Sequence, residues 1–392
     1  PIPMNSWGVQ MGIDVHVLGT ASARPTNRRD VSGSAVKCHD GIAVIDCGEG
    51  FQNRFSHQRK MLKQHEKGTT LKPKNVDVLL FTHGHLDHTW GALPWMQTMS
   101  LDNRETPLLV LGPSTGAVLD ALLSGSELPK DTPPSELARQ WRSWHSLGAN
   151  DSGLTFPTRW VLGDMKENRW VELNAQTGKA AALDSMPQPI GWSSCKIEAL
   201  QTHHSVPSCA WAIKQVGKRG KFDRLRAAEL RLTEEQRMSL ARGDDVMLEN
   251  GDLLDANSFR GKSGSGLSVI LSGDTAEGAP GLLRTATPTL LVHEATFLES
   301  QSDKAAEHLH STVAGAVRTA QQMKVNHLAL THYSSRIKDL ETVSNEVDVG
   351  DAHLDVVCLN DGDRLRVGED GSVSHLVFGQ EGWSKRNMSP NR

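Results

Sequence analysis

The sequence predicts an α/β fold, on three observations. Short apolar runs of strand length recur along the chain. Each run ends abruptly in polar residues able to coordinate or hydrogen-bond, and stretches with helical spacing lie between the runs. No repeat of fixed period links them.

The runs follow one another in order. Residues 13–18 lead into Gly19, Thr20, Ala21 and Ser22. Residues 42–45 lead into Asp46, Cys47, Gly48, Glu49 and Gly50, and residues 76–81 into Thr82 and His83. Further on, 269–271 ends in Ser272, Gly273, Asp274 and Thr275, and 290–292 in His293 and Glu294. Then 327–330 ends in Thr331 and His332, and 356–359 in Asn360, Asp361, Gly362 and Asp363. Open α/β sheets carry their sites beyond strand ends, so these tips are expected to share one cleft. Between the runs, Ala314, Val317, Ala320 and Met323 have helical spacing, with Ser311 or Thr312 as the cap. Residues 117–123 predict another helix, opened by Gly112, Pro113, Ser114 and Thr115. Residues 125–192, rich in Pro, Gly and Trp, show no readable period. A second irregular block spans 214–266, and both are expected to be insertions in a core that resumes near Leu267. Trp141, Trp144, Trp160, Trp170 and Trp192 are expected to be core rather than base-stacking platforms.

Composition limits what the chain can be. Its 392 residues are 38% hydrophobic and 22% charged, a soluble globular balance that excludes a disordered or collagen-like chain. Lys and Arg total 42 against 46 Asp and Glu, a net charge of −4, which excludes a globally basic nucleic-acid binder but not a local basic patch. The five cysteines form no C-x-x-C pair, so neither a disulfide framework nor a cysteine zinc site is expected, and a reducing cytoplasm fits. No apolar run approaches the ~18 residues of a membrane span, and the first residues lack a signal-peptide pattern. No membrane association is expected.

Histidine is the unusual residue. His83-Gly84-His85-Leu86-Asp87-His88 places four potential ligands in six positions just after a buried strand. On a helix, positions two apart face different ways; on a tight loop, alternate side chains can turn toward one point. Imidazoles and a carboxylate suit zinc, and two neighbouring groups of them suit a two-metal centre. Isolated histidines such as His16 and His57 are expected to be solvated or hydrogen-bonded, without a role in the site.

His-x-His-x-Asp-His after a strand resembles the signature of the metallo-β-lactamase superfamily. The resemblance implies an αββα sandwich of two mixed sheets with helices outside, as one domain over 1–392. It also implies two metal ions, zinc by default, with manganese or iron compatible with the same ligands. One ion would take His83, His85 and His204, the second Asp87, His88 and His332, and Asp274 would bridge them. His204 is preferred to His203 because it stands just before the element Ser205-Val206-Pro207-Ser208. Asp46 would buttress the metal loop as a partner of a ligating histidine.

Further segments are similar to the ribonuclease Z family of tRNA 3′-processing endonucleases. They are Leu18 to Thr26, Asp46 to Gly50, His204 to Ser208, His293-Glu294-Ala295-Thr296-Phe297, His310-Ser311-Thr312 and Thr331 to Arg336, in the family's order. The resemblance implies removal of the 3′ trailer of precursor tRNA by an activated water. Asp87 would orient that water and accept its proton, and His310, paired with Glu294, would protonate the leaving 3′-oxygen. Ser334, Ser335 and Arg336 would grip a phosphate. The family carries an arm after the Val-Pro-Ser element, and here Lys218, Arg219 and Lys221 lie in a basic run suited to RNA backbone contacts. A homodimer is implied, one subunit's arm clamping RNA bound to the other. Two departures stand against the family frame. The expected Gly-Pro arm tip reads Leu232-Thr233-Glu234-Glu235-Gln236-Arg237, and the Trp-rich stretch is longer than expected. They keep open another hydrolase of the superfamily: a β-lactamase, a lactonase or a small phosphodiesterase.

Overall fold

Each of the apolar runs is a strand in a computed structural model that describes residues 11–66, 69–150, 152–174, 179–217, 222–260, 266–379 and 382–386. Among the described residues an eleven-stranded sheet has the order Gly382–Arg386, Val373–Gly379, Arg364–Gly368, Met11–Gly19, Gly33–Lys37, Ile42–Cys47, Val76–Leu80, Leu108–Ser114, Thr158–Asp164, Arg169–Leu173 and Ala180–Leu183. The four strands from Ile42–Cys47 to Thr158–Asp164 pair in parallel, and the rest are antiparallel. A six-stranded sheet has the order Asp355–Cys358, His327–Thr331, Leu290–Glu294, Leu267–Leu271, Cys209–Gln215 and Cys195–Gln201, with the first four parallel. Both sheets are therefore mixed.

Burial explains the layering. Val15, Ile45, Val78 and Leu80 of the first sheet meet Trp211, Val269 and Val292 of the second in one apolar layer. The opposite face of the first sheet, including Val44, Leu79 and Val110, packs under Phe55, Leu62, Trp95 and Leu119 from helices. Ile270, Leu291 and Leu328 pack under Val313, Val317 and Ala320. Strands covered on both faces read as continuous apolar runs, which is why they were legible as runs. The result is an αββα sandwich. Thr312, not Ser311, caps the helix Val313–Gln322 by accepting from Gly315 N–H at 2.9 Å, while the Ser311 hydroxyl donates to the Thr275 carbonyl. Thr115 caps the helix Gly116–Ser124.

The Trp-rich stretch, whose elements could not be read from the sequence, has regular structure. It contains the helix Leu137–Ser146, and its last three strands extend the main sheet. Trp160 and Trp170 lie in strands interrupted by the half-buried Arg159, Arg169 and Glu172, so no continuous apolar run marks them. Trp141, Trp144, Trp160 and Trp170 are core, and Trp192 is half-buried. Residues 222–260 form a small body with the helices Arg224–Glu229 and Glu234–Arg242 around Ala227, Leu232, Leu240, Ala256 and Phe259. A capping box of Thr233 and Gln236 starts the second helix where a Gly-Pro tip was expected. Lys218, Arg219 and Lys221 lie outside the described residues. Among the described residues no helix is long and apolar enough to cross a membrane.

Candidate metal centre and active site

The strand ends converge as expected, and the side chains they carry fall into two groups about one carboxylate. His83 Nε2 lies 3.0 Å from His85 Nδ1, and His204 Nε2 lies 3.3 Å from the same atom. Asp274 Oδ2 faces this group, 3.7 Å from His83 Nε2 and 3.9 Å from His204 Nε2. On the other side His88 Nε2 and His332 Nε2 are 3.2 Å apart, with Asp87 Oδ2 3.6 and 3.8 Å from them. Asp274 Oδ1 faces this second group at 3.4 Å from His88 and 3.2 Å from His332. One carboxylate thus presents one oxygen to each group.

Several observations test whether this arrangement fits metal ions. The ligand atoms of His83, His85, His204 and Asp274, and those of Asp87, His88 and His332, each lie within 4.8 Å of one another. Asp274 Oδ1 is buried without a hydrogen-bond partner, an arrangement that costs free energy unless a cation compensates it. In four of the five histidines the ring nitrogen that faces away from the group has a partner. Thr82 Oγ is 3.1 Å from His83 Nδ1, Asp46 Oδ2 is 2.7 Å from His88 Nδ1, Thr296 Oγ is 3.0 Å from His332 Nδ1, and the Leu309 carbonyl is 3.1 Å from His204 Nδ1. Partners on one ring nitrogen fix the tautomer that leaves the other free for a metal. The residues fit a two-metal centre of oxygen and nitrogen donors. His204 lies in the first group, whereas His203 is exposed and lies outside both groups.

Local backbone explains the loop. Asp46 has φ 57° and His332 φ 61°, left-handed conformations at the ends of buried strands that turn both side chains into the cleft. Asp46 Oδ1 accepts from Thr82 N–H at 2.8 Å and Oδ2 from the Thr82 hydroxyl at 2.8 Å, which ties this strand end to the start of the motif. Gly84 is needed by close approach: a Cβ there would stand 1.8 Å from the Ser135 carbonyl. The same approach lets Gln140 Nε2 donate to the Gly84 carbonyl at 2.5 Å and the Ser135 carbonyl at 3.0 Å. The Trp-rich segment therefore braces the metal loop. Sequence reading missed Gln140, and 56 positions separate it from Gly84 with no motif to link them.

Beside the metal groups lies a carboxylate–imidazole pair. Glu294 is buried, and its Oε1 is 2.7 Å from His310 Nδ1 and accepts from Thr275 N–H at 2.8 Å. Its Oε2 accepts from Thr296 N–H. Both readings of Glu294, an acid tied to amides and a partner of His310, hold together. Burial works against charge on His310, but the Glu294 and Asp274 carboxylates outweigh it and push its pKa up to about 9. Its Nε2 points into the site, 3.9 Å from Asp274 Oδ2. The Thr296 hydroxyl, between Glu294, His310 and His332, was missed as a separate residue although it lies within His-Glu-Ala-Thr-Phe. Burial and neighbouring imidazoles hold His83 well below the usual range, whereas three carboxylates, Asp274 foremost, overcome burial and raise His88.

A cavity of about 650 Å³ opens over these groups, lined by His85, Asp87, His204, Asp274 and His310 among others. Ser334, Ser335 and Arg336 line it too, and Arg24 Nε donates to Ser335 Oγ at 3.0 Å. Asp87 Oδ2 accepts from Ala23 N–H at 2.8 Å, which fixes that carboxylate from the opposite wall.

The chain matches the family model "Metallo-beta-lactamase superfamily" over residues 36–104. It is 29% identical over 321 residues to the Ribonuclease Z of Myxococcus xanthus, covering 81% of this chain and 86% of that protein. It is 28% identical over 373 residues to the Ribonuclease Z of Natronomonas pharaonis, covering 95% of this chain and 100% of that protein. Among solved structures, a long form RNase Z from yeast superposes with TM-score 0.57 at 16% identity, over 93% of this chain and 43% of that one. The metallo-beta-lactamase fold protein YhfI from Bacillus subtilis superposes with TM-score 0.52 at 14% identity, over 90% of this chain and 99% of that one. The structural likenesses concern the fold.

Proposed function

We propose that this chain, a member of the metallo-β-lactamase superfamily of ribonuclease Z type, hydrolyses the phosphodiester that joins the 3′ trailer to a precursor tRNA. The observation that carries the reading is the pair Glu294–His310 set against a centre of seven metal-type ligands, with His310 Nε2 3.9 Å from the bridging Asp274. Similarity to ribonuclease Z over most of the chain supports it.

His83, His85, His204 and Asp274 would hold one ion, and Asp87, His88, His332 and Asp274 the other. Zinc fits these donors, and manganese or iron is compatible with them. What a metal pair supplies when bound is Lewis-acid activation of water and neutralisation of charge on the phosphate. The residues of the chain do the rest. Ser334, Ser335, Arg24 and Arg336 hold the phosphate over the centre. Asp87, fixed by Ala23 N–H, orients the attacking water and takes its proton. His310 donates a proton from Nε2 to the leaving 3′-oxygen, while Glu294 holds the ring through Nδ1. We place the reaction in the cytoplasm on a homodimer, with the block 214–266 as the RNA-holding arm and Lys218, Arg219 and Lys221 as its backbone contacts. Exposed Leu86 and Trp90 beside the metal loop suit an interface between subunits.

One observation favours a second reading. In residues 222–260 acidic residues outnumber basic ones, with Glu234 and Glu235 opening the second helix. That body is a poor phosphate grip, which suits a hydrolase of the same fold acting on a smaller substrate. Purified protein incubated with a 3′-extended tRNA transcript decides between them. Cleavage just after the discriminator nucleotide is expected. Hydrolysis of bis-p-nitrophenyl phosphate with the transcript left intact would overturn the tRNA reading in favour of the second.

A further inference from the structure

We propose that the helix Ser302–His308 carries a stacking site for the last nucleotide retained by the cleaved RNA, with the His308 ring as the platform and Lys304 as the contact to the preceding phosphate. The inference rests on the ribonuclease reading. If His310 protonates the leaving 3′-oxygen, that oxygen belongs to the retained nucleotide, so the wall next to His310 faces that nucleotide's base.

The backbone places this wall. Leu309 has φ 54° and ends the helix in a left-handed turn, with its carbonyl directed to His204 Nδ1. The turn brings His308 and His310, one on each side of it, to the same cavity. Phe297, largely buried, connects them. Its ring lies nearly parallel to His308, at 19° with centroids 6.4 Å apart, and edge-on to His310, at 67° and 5.9 Å. His308 is backed by Phe297 and is itself exposed, so it offers an aromatic face beside the proton donor. Lys304 stands one helical turn earlier, exposed and lining the same cavity. Glu307 also lines the wall and repels phosphate, so the phosphate contact falls to Lys304.

Stacking of a base on an aromatic side chain is sequence-tolerant, and its removal costs roughly five- to hundredfold in affinity. The test compares wild type, H308A and H308F on a 3′-extended tRNA and on the same RNA with an abasic site at the last retained position. H308A is expected to lower kcat/KM on the intact RNA by roughly tenfold. H308F should restore most of it, because it keeps the ring without the nitrogens. On the abasic RNA, wild type and H308A should converge, since the partner of the stack is gone. K304A should lower kcat/KM on both RNAs alike. An equal loss for H308A on intact and abasic RNA overturns the proposal, because the ring would then be acting through the fold or His310. No loss on the intact RNA overturns it too, with the ribonuclease reading left standing. A wild-type protein unable to cut the intact RNA at all condemns that reading itself, and the stacking site with it.

Discussion

Replacing Asp46 with asparagine isolates the support of one metal ligand while leaving every ligand in place. Asp46 Oδ1 accepts from Thr82 N–H, and Oδ2 accepts from the Thr82 hydroxyl and lies 2.7 Å from His88 Nδ1. An amide has one acceptor oxygen where the carboxylate has two. If that oxygen stays on Thr82 N–H, the NH₂ group faces His88 Nδ1 and forces the proton onto Nε2, the atom that faces His332 and Asp274. If the amide flips, two donors meet at Thr82 N–H. Either way a charge-assisted bond worth about 1.5–3 kcal/mol is lost, and a metal held by His88 should bind roughly 10- to 100-fold more weakly. The assay is metal content by mass spectrometry after dialysis against chelators of graded affinity. D46N should drop from two ions toward one at a chelator strength that leaves wild type loaded, with the thermal midpoint of the metal-free forms compared as a control. If D46N keeps both ions against the same chelator series as wild type, the tautomer argument is wrong.

Asp87→Ala should abolish cleavage and lower metal content, because in the proposed mechanism it removes a ligand and the proton acceptor together. His310→Ala should slow turnover by roughly 10²–10⁴-fold, as expected for loss of a general acid, with metal content close to wild type. Equal metal loss in both variants makes His310 a ligand. Gln140→Ala should weaken metal binding roughly tenfold by freeing the Gly84 carbonyl, read with the same chelator series; unchanged affinity means the brace is only packing. Far from the site, burial lowers the pKa of His16 to about 3 despite the opposing Asp14 carboxylate. Its folded value lies below the ordinary 6.5, so the unfolded chain binds the extra proton as pH falls from 6.5 toward 3, and stability falls with it. Between pH 6.5 and 5 this amounts to about 1.6 kcal/mol. In urea unfolding at those two pH values, His16→Leu should lose less stability than wild type by that amount, and parallel losses would refute the assignment.

What the sequence made legible follows from where chemistry and covalent order coincide. The metal loop and the strand ends at Asp46, Asp274, Glu294 and His332 each carry a candidate ligand, a partner of one, or a member of the Glu294–His310 pair within a few residues of a strand, and the turn at His310 carries the other member of that pair. Short motifs could therefore be read, and their convergence followed from the α/β layout. His204 was preferred to His203 from the neighbouring Val206-Pro207-Ser208, and in the structure it is His204 that joins the first group, with the Leu309 carbonyl at hand for its Nδ1. The Trp-rich segment was illegible for a physical reason. Arg159, Gly163 and Asp164 interrupt one strand and Arg169 and Glu172 the other, so around Trp160 and Trp170 there is neither a continuous apolar run nor a clean alternation to read.

Supports are harder to see in a sequence than ligands. Gln140 reaches Gly84 across 56 positions, and Ala23 reaches Asp87 across 64, through one hydrogen bond each. A backbone carbonyl or amide can be served by almost any polar residue, so these partners leave no pattern at fixed spacing, whereas metal ligation demands particular side chains at particular places. The consequence concerns how the site can change. A ligand lost from the motif removes the centre, but a brace can be re-sited on another segment at small cost. A segment as long as 125–192 can thus support the metal loop from one end and extend the sheet from the other, with the ligand motif unchanged.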